Sequence, residues 1–232
     1  MGGKKLTKKW LKNHMTYSWW KYAVLAAVCI LGVNLVFTMT AYRVPEEKKV
    51  EVFVLNGYAD SIAMHEQLWP AFSALYPEQE ELIVMNVNLS GNDTYGPMQF
   101  ATYTAAQQGD VFLISMDELK KHTAEGAEIM FMELTPFVER GIIDTTGLDL
   151  TAGMFEDSAG NTGLYAIPAD GLYGLFELGN DPAGCLLCVT SYNGNEECSA
   201  AVLNLMLDLY TTEKPAGYDE MRKAREGFTS VY

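Results

Sequence analysis

The sequence predicts an α/β fold, a single lobe with a mainly parallel sheet flanked by helices, preceded by one transmembrane helix. Residues 22–42 form an uncharged stretch near the N-terminus. Along residues 50–126, short apolar segments rich in β-branched residues alternate with longer helical patterns. This alternation is the order of a parallel sheet with helical crossovers. At 232 residues, the chain has room for one core and an appendage.

The uncharged stretch has the length of a membrane span, because a helix of 21 residues is about 30 Å long. It is longer than the apolar core of a cleaved signal peptide, which favours an uncleaved signal-anchor. The lysine excess in residues 1–21 predicts a cytoplasmic N-terminus. We therefore expect a single-pass protein of the cell membrane, in which a linker at 43–50 leads to an extracytoplasmic domain at 51–232.

Charge is divided unevenly along the chain. Seven of the 16 basic residues precede Glu46, the first acidic residue. The remainder of the chain carries nine basic against 30 acidic residues, a formal charge of −21. A field of that sign repels phosphates, so the composition excludes a nucleic-acid partner.

The first half of the outer domain is the more regular. Strands are predicted at 50–57, 81–89 and 110–115, because these segments are apolar and end in turn residues. The segments after them predict helices at 61–76, 97–108 and 116–126. Ser115 and Glu118 have the spacing of a capping box at the start of the third helix.

The second half is less periodic. A short helix is expected within 132–144, a turn at 157–163 and a strand at 164–168. Two further strands, 171–178 and 184–191, flank a turn. Asn193 or Asn195 is expected to cap the next helix, whose apolar face is formed by Val202, Leu205, Met206 and Leu209, and a short helix around 218–227 ends the chain.

No motif for catalysis, cofactor binding or metal binding occurs in the sequence, so we expect a protein that is not an enzyme. Cys185 and Cys188 have the C-x-x-C spacing of redox and metal sites. Residues three apart in a strand point to opposite faces, which favours two small core residues instead. A disulfide between Cys188 and Cys198 is the best bridge candidate, and whether it forms is left open.

The carboxyl ends of the predicted strands are the expected ligand site, since open parallel sheets bind ligands there. Tyrosine, asparagine and aspartate at these ends suit a sugar. Asp170, two residues after the predicted strand at 164–168, is included with them. The candidate ligand-binding residues are Asn56, Tyr58, Asn92, Tyr95, Ser115 and Asp170.

Six segments carry a family resemblance. They are VEVFVLNG at 50–57, ELIVMNV at 81–87, ATYTAAQQGDVFLIS at 101–115, MELTPFVERG at 132–141, GLYAIPAD at 163–170, and LLCVTSYNGNEECSAAVLNLML at 186–207. Together these resemble the extracellular solute-binding proteins of carbohydrate ABC transporters, in particular their first lobe. The resemblance implies a periplasmic-binding-protein-like lobe. Members of that family are usually about twice as long as the outer domain of this chain, and they are usually lipoproteins or secreted proteins rather than anchored by a transmembrane helix.

The resemblance implies a non-catalytic binding or accessory component of an ABC-type transporter or another envelope system, with a small carbohydrate or peptide as ligand. One alternative is a protein-protein interaction module without a small-molecule ligand. Another is a thiol oxidoreductase that uses Cys185 and Cys188. An aromatic-lined cleft would favour the ligand-binding component, and an exposed apolar patch would favour the interaction module. An exposed cysteine of low pKa at a helix start would favour the oxidoreductase.

The lysine asymmetry makes the membrane orientation testable. Protease added to intact cells or protoplasts should digest residues 46–232 and spare the N-terminus, as detected by antibodies against each part. A domain that stays protected until the membrane is broken would contradict the orientation.

Overall fold

The computed structural model describes residues 8–89, 95–190, 192 and 194–229, of which 8–15 and 226–229 are described by their backbone alone. The chain divides into two compact units, Met1–Arg43 and Val44–Tyr232.

The first unit is built on helix α1, Lys8–Thr40. Its 25-residue part Thr16–Thr40 is long and apolar enough to cross a membrane, and its side chains are exposed. A signal sequence has the same properties near an N-terminus. The helix is thus a candidate anchor or signal sequence, while the boundaries of the span and its orientation stay predictions.

The second unit contains a five-stranded sheet with strand order β2-β1-β3-β7-β6 and a separate two-stranded sheet, β4-β5. The strands are β1 Lys49–Leu55, β2 Glu81–Val87, β3 Val111–Ser115, β4 Met154–Glu156, β5 Thr162–Leu164, β6 Ala166–Pro168 and β7 Cys185–Val189. The helices are α2 Ser61–Leu75, α3 Tyr95–Ala105, α4 Met116–His122, α5 Thr135–Glu139, α6 Tyr173–Glu177, α7 Glu196–Tyr210 and α8 Tyr218–Thr229.

Strand direction makes the large sheet mostly parallel. Strand β1 is parallel to β2 on one side and to β3 on the other. Strand β7 is antiparallel to both β3 and β6, so four of the five strands point the same way. This confirms a mixed α/β fold with a mostly parallel sheet flanked by helices.

The two faces of the sheet carry two separate cores. On the first face, Val52 and Leu187 pack with Phe72 of α2 and Met206 of α7. On the second face, Phe53, Phe112 and Cys188 pack with Phe100 of α3 and Leu119 of α4. Alternation along each strand produces this division, since successive side chains point to opposite faces.

The predicted strand at 171–178 is wrong, because residues Tyr173–Glu177 form helix α6. Leu172, Leu175 and Phe176 are all buried, and this spacing of three and one is helical rather than alternating. Gly174 lets the helix approach the backbone of Tyr210, where a Cβ would lie 3.0 Å from the Cα atom.

The predicted apolar face of α7 is wrong in part. Val202 and Met206 are buried as expected, but Leu205 is only partly buried and Leu209 is 43% exposed. Helix α7 contacts the sheet, α2 and α6 at once. Because of these contacts, the buried face of α7 is rotated from the predicted one. Its large side chains are Val202, Leu203, Met206, Leu207 and Tyr210.

The candidate disulfide between Cys188 and Cys198, which the sequence left open, is not formed. Cys188 lies in the core of the second face, whereas Cys198 packs against the core of the first face. Both thiols are free, as is that of Cys185. Cys185 and Cys188 do point to opposite faces of β7, as the strand geometry predicts.

A buried carboxylate fixes the amino-terminal end of β1. Glu51 is 3% exposed, accepts a hydrogen bond from the Gly109 N–H at 3.0 Å and pairs with Lys49 Nζ at 2.9 Å. Its own N–H donates to Asp110 Oδ2 at 2.8 Å, which joins β1 to the start of β3. Burial lowers the pKa of Lys49, but bonds to Glu51 and Glu46 outweigh that effect and leave the pKa raised.

Asn195 occupies the N-cap position of α7, and its side chain also serves this end of the sheet. Its side-chain nitrogen donates to the carbonyl oxygens of Glu46 and Lys49, and no side-chain bond caps the helix. Asn195 is thus the N-cap residue by position, but its side chain makes no capping hydrogen bond, and Asn193 lies outside the described residues. The segment that enters β1 is thus held to the start of α7.

Replacing Glu51 with Gln should lower the free energy of unfolding by about 3 kcal/mol, because the partly buried ammonium of Lys49 then keeps only the exposed Glu46 as a counter-charge. Urea unfolding of the full chain in detergent micelles, followed by circular dichroism, measures the change. Glu66→Gln removes an exposed carboxylate from α2 and should leave the stability unchanged. Equal stability of the two variants would show that the buried pair contributes nothing.

Candidate functional site

A cleft of about 430 Å³ opens at the carboxyl ends of β1 and β3. From β1 the chain leads through α2 to β2 on one side, while β3 lies on the other side. In open α/β folds, ligands bind at the point where the connections from two neighbouring strands lead to opposite sides. The cleft is lined by Leu55, Asn56, Gly57, Tyr58, Ser115, Gly179, Asn180, Asp181, Cys185, Arg222 and Arg225.

The turn after β1 is held by Asn56, whose φ is 56°. Asparagine tolerates this left-handed conformation better than most residues. Its N–H donates to the Val87 carbonyl at 3.0 Å, and its Oδ1 accepts from the Leu89 N–H at 2.7 Å. Asn56 therefore ties the end of β1 to the end of β2.

Gly57 makes room for Asn180. A Cβ at position 57 would lie 2.0 Å from Asn180 Oδ1, so a larger residue would displace that side chain. Asn180 is 4% exposed, and its Nδ2 has no hydrogen-bond partner among the described residues. A buried donor without an acceptor costs about 1–3 kcal/mol. An acceptor brought by a ligand would recover this cost.

Helix α8 contributes Arg222 and Arg225 to one wall of the cleft, and Tyr218, four residues before Arg222, shares their helix face. The buried Tyr218 hydroxyl donates to Asp181 Oδ1 at 2.6 Å, and Arg222 Nε lies 2.9 Å from Asp181 Oδ2. Arg225 donates twice to the Phe176 carbonyl and stacks 3.7 Å from that ring's centroid. Burial, together with the bond to Asp181, raises the pKa of Tyr218.

Three of the predicted ligand-binding residues meet in this cleft, namely Asn56, Tyr58 and Ser115. Tyr58 is 74% exposed. Ser115 Oγ accepts from the Glu118 N–H at 3.4 Å, so it caps α4 as its spacing predicts. Both Asn56 and Ser115 thus have a structural role at the cleft.

The other three predicted residues are elsewhere. Tyr95 begins α3, is 64% exposed and does not line the cleft. Asp170 lines a neighbouring cavity of about 170 Å³ and accepts from the Gly184 N–H at 3.0 Å. Asn92 lies outside the described residues. A ligand role for any of the six stays a prediction.

Sequence interpretation missed Asn180, Asp181, Arg222 and Arg225. The first two were assigned to a plain turn, and the arginines to a terminal helix without a role. One signal was available, since Arg222 and Arg225 are two of the three arginines after Glu46 and lie one helical turn apart. Their neighbours across the cleft are set by tertiary packing, which no local pattern reveals.

The thiols differ from those of a redox site. Burial raises the pKa of Cys185 to about 11, and nearby Asp181 and Asp170 add to the effect. Burial also raises the pKa of Cys188. Reactive thiols have lowered pKa values and often lie at helix N-termini, whereas both of these lie in strand β7. No cluster of metal-binding side chains occurs within the described part of the chain.

Comparison with known proteins finds no matching family model and no matching curated protein. Among solved structures, the chain is similar to an extracellular solute-binding protein family 1 member from Alicyclobacillus acidocaldarius, with 18% identity and a TM-score of 0.35. It is also similar to maltose-bound T. maritima MalE3, with 16% identity and a TM-score of 0.31. Each match covers 52% of this chain and 28% of the solved chain.

The raised pKa of Cys185 gives a direct test of its chemistry. At pH 8, iodoacetamide should alkylate Cys185 about 100-fold more slowly in the folded chain than in urea, since two pKa units reduce the thiolate fraction by that factor. Mass spectrometry of peptides after timed quenching measures both rates. Faster alkylation in the folded chain would support the thiol oxidoreductase alternative.

Proposed function

We propose that this chain is a membrane-tethered, non-catalytic binding domain outside the cytoplasm, which takes a small ligand in the cleft. It would serve as a binding or accessory component of an ABC-type transport or envelope system. The observation that carries the proposal is the cleft at the carboxyl ends of β1 and β3, with a buried, unpaired amide donor in its wall.

The size and lining of the cleft support small-molecule binding. Its volume of about 430 Å³ lies within the range of ligand sites, roughly 300–1,000 Å³. The aromatic side chain of Tyr58 stands beside it, with polar groups from the turns after β1 and α6. Aromatic rings with a few polar groups are what sugar and peptide sites offer.

The cleft belongs to one lobe, so affinity should be modest. Tight small-molecule sites enclose most of the ligand, often by closing a second lobe over it. A ligand in this open cleft would keep a solvated side and bind with a Kd of about 0.1–1 mM. The resemblance of the chain segments to first lobes of solute-binding proteins supports a carbohydrate or peptide as ligand and an ABC-type partner.

A second candidate function is a protein-protein interaction module. Large apolar side chains stand exposed after β1 and at the start of the helices that follow β1 and β2, namely Tyr58, Ile62, Tyr95 and Met98. Tyr58 and Ile62 follow the carboxyl end of β1, and Tyr95 and Met98 follow that of β2, so all four belong to the same edge of the sheet. Exposed apolar side chains on one edge are typical of protein contacts. This face would then dock a membrane partner.

Two tyrosine variants separate the candidate functions. Tyr58→Ala should weaken binding of maltooligosaccharides or tripeptides by about 3–10-fold, because Tyr58 lines the cleft. Tyr95→Ala should leave that binding unchanged, because Tyr95 lies outside the cleft. Ligand-observed NMR on the full chain in nanodiscs measures the weak affinities.

A micromolar sugar or peptide ligand would contradict the open-lobe argument. If both variants instead lose association with membrane proteins in pull-downs, and the sugars and peptides do not bind, the interaction module is the correct function.

A further inference from the structure

We propose that the cleft selects ligands with a negatively charged group, a carboxylate or a phosphate, and that Arg222, Arg225 and Asn180 determine this selectivity. The inference rests on the proposed function, since it assumes that the cleft holds a small ligand.

The charges at the cleft oppose those of the domain. The chain after Glu46 carries nine basic residues, and two of them line this cleft. The lining includes two arginines and one aspartate, a formal charge of +1, within a region whose total is −21. Charges beyond about 8 Å are largely screened at physiological salt, so the groups that touch a ligand dominate its binding.

The two guanidinium groups are held in place before a ligand arrives. Asp181 orients Arg222 through Nε, and the Phe176 carbonyl and ring orient Arg225. Guanidinium groups bind carboxylate and phosphate oxygens through parallel N–H donors. Fixing such groups in advance lowers the entropy cost of binding.

Asn180 adds a requirement for an acceptor. Its Nδ2 is a donor, it is buried, and the described residues provide it with no partner. Because Nδ2 is covered, a ligand acceptor would reach it only if the covering side chains moved aside. A cationic ligand is disfavoured, because Asp181 already accepts from Tyr218 and pairs with Arg222. Arginine and amide donors on one cleft therefore match an acceptor-rich anion.

Three sugars that differ only at carbon 6 test the charge directly: glucose, glucuronate and glucose 6-phosphate. Ligand-observed NMR with the full chain in zwitterionic nanodiscs should show glucuronate or glucose 6-phosphate binding about 10-fold more tightly than glucose. The better of the two identifies the carboxylate or the phosphate as the preferred group. The preference should shrink as NaCl is added, because salt screens the attraction.

Three variants test which residues produce the preference for anionic sugars. Asn180→Asp keeps the side-chain shape but replaces the donor with an anionic oxygen, and it should abolish the preference for anions. Arg222→Gln should reduce the preference about 3-fold, because Arg225 and Asn180 remain. It is the test variant if Asn180→Asp proves unstable by circular dichroism. Lys223→Gln, on the same helix but exposed and outside the cleft lining, removes the same charge and should change nothing.

The outcomes separate the two proposals. If glucose binds as tightly as its anionic analogues, the charge selectivity is wrong while the proposed binding function stands. If none of the three sugars binds, the sugar site itself is wrong and the selectivity falls with it. Equal losses in Arg222→Gln and Lys223→Gln would reduce the effect to surface charge and overturn the assigned roles.

Discussion

Strand β1 is the constraint on which the outer unit depends, because it pairs with neighbours on both edges and is buried on both faces. The buried Glu51 fixes its amino-terminal end against Lys49 and the start of β3. Its carboxyl end then emerges between the ends of β2 and β3. The cleft follows from that position, since the turn at Asn56 and Gly57 leaves space between the ends of the neighbouring strands.

Two contacts convert this space into a site. The missing side chain at Gly57 admits the Asn180 amide, and Asp181 beside it binds Tyr218 and Arg222 of α8. A single turn after α6 thus links the end of β1 to helix α8. The basic groups that line the cleft, Arg222 and Arg225, come from α8, so the chemistry of the site depends on that helix.

Local patterns were sufficient to predict strands β1, β2 and β3, because each is an apolar run followed by turn residues and a helix. The rule that ligands bind at the carboxyl ends of parallel strands placed Asn56, Tyr58 and Ser115 at the cleft. Local patterns failed at α6, where glycines and aromatics read as a strand although burial followed a helical period. They also failed at Asn180, Arg222 and Arg225, since only tertiary packing brings these residues to β1.

A small ligand in the cleft would lie beside the Asn180 amide. Two-dimensional NMR of the full chain in nanodiscs, with the asparagine side-chain amides labelled with ¹⁵N, tests this placement most directly. Addition of glucuronate should shift the Asn180 amide signals as the donor gains an acceptor. The amide of Asn204, which binds Asp208 on α7 away from the cleft, should not move. Unchanged Asn180 signals, or equal shifts at both amides, would contradict the account.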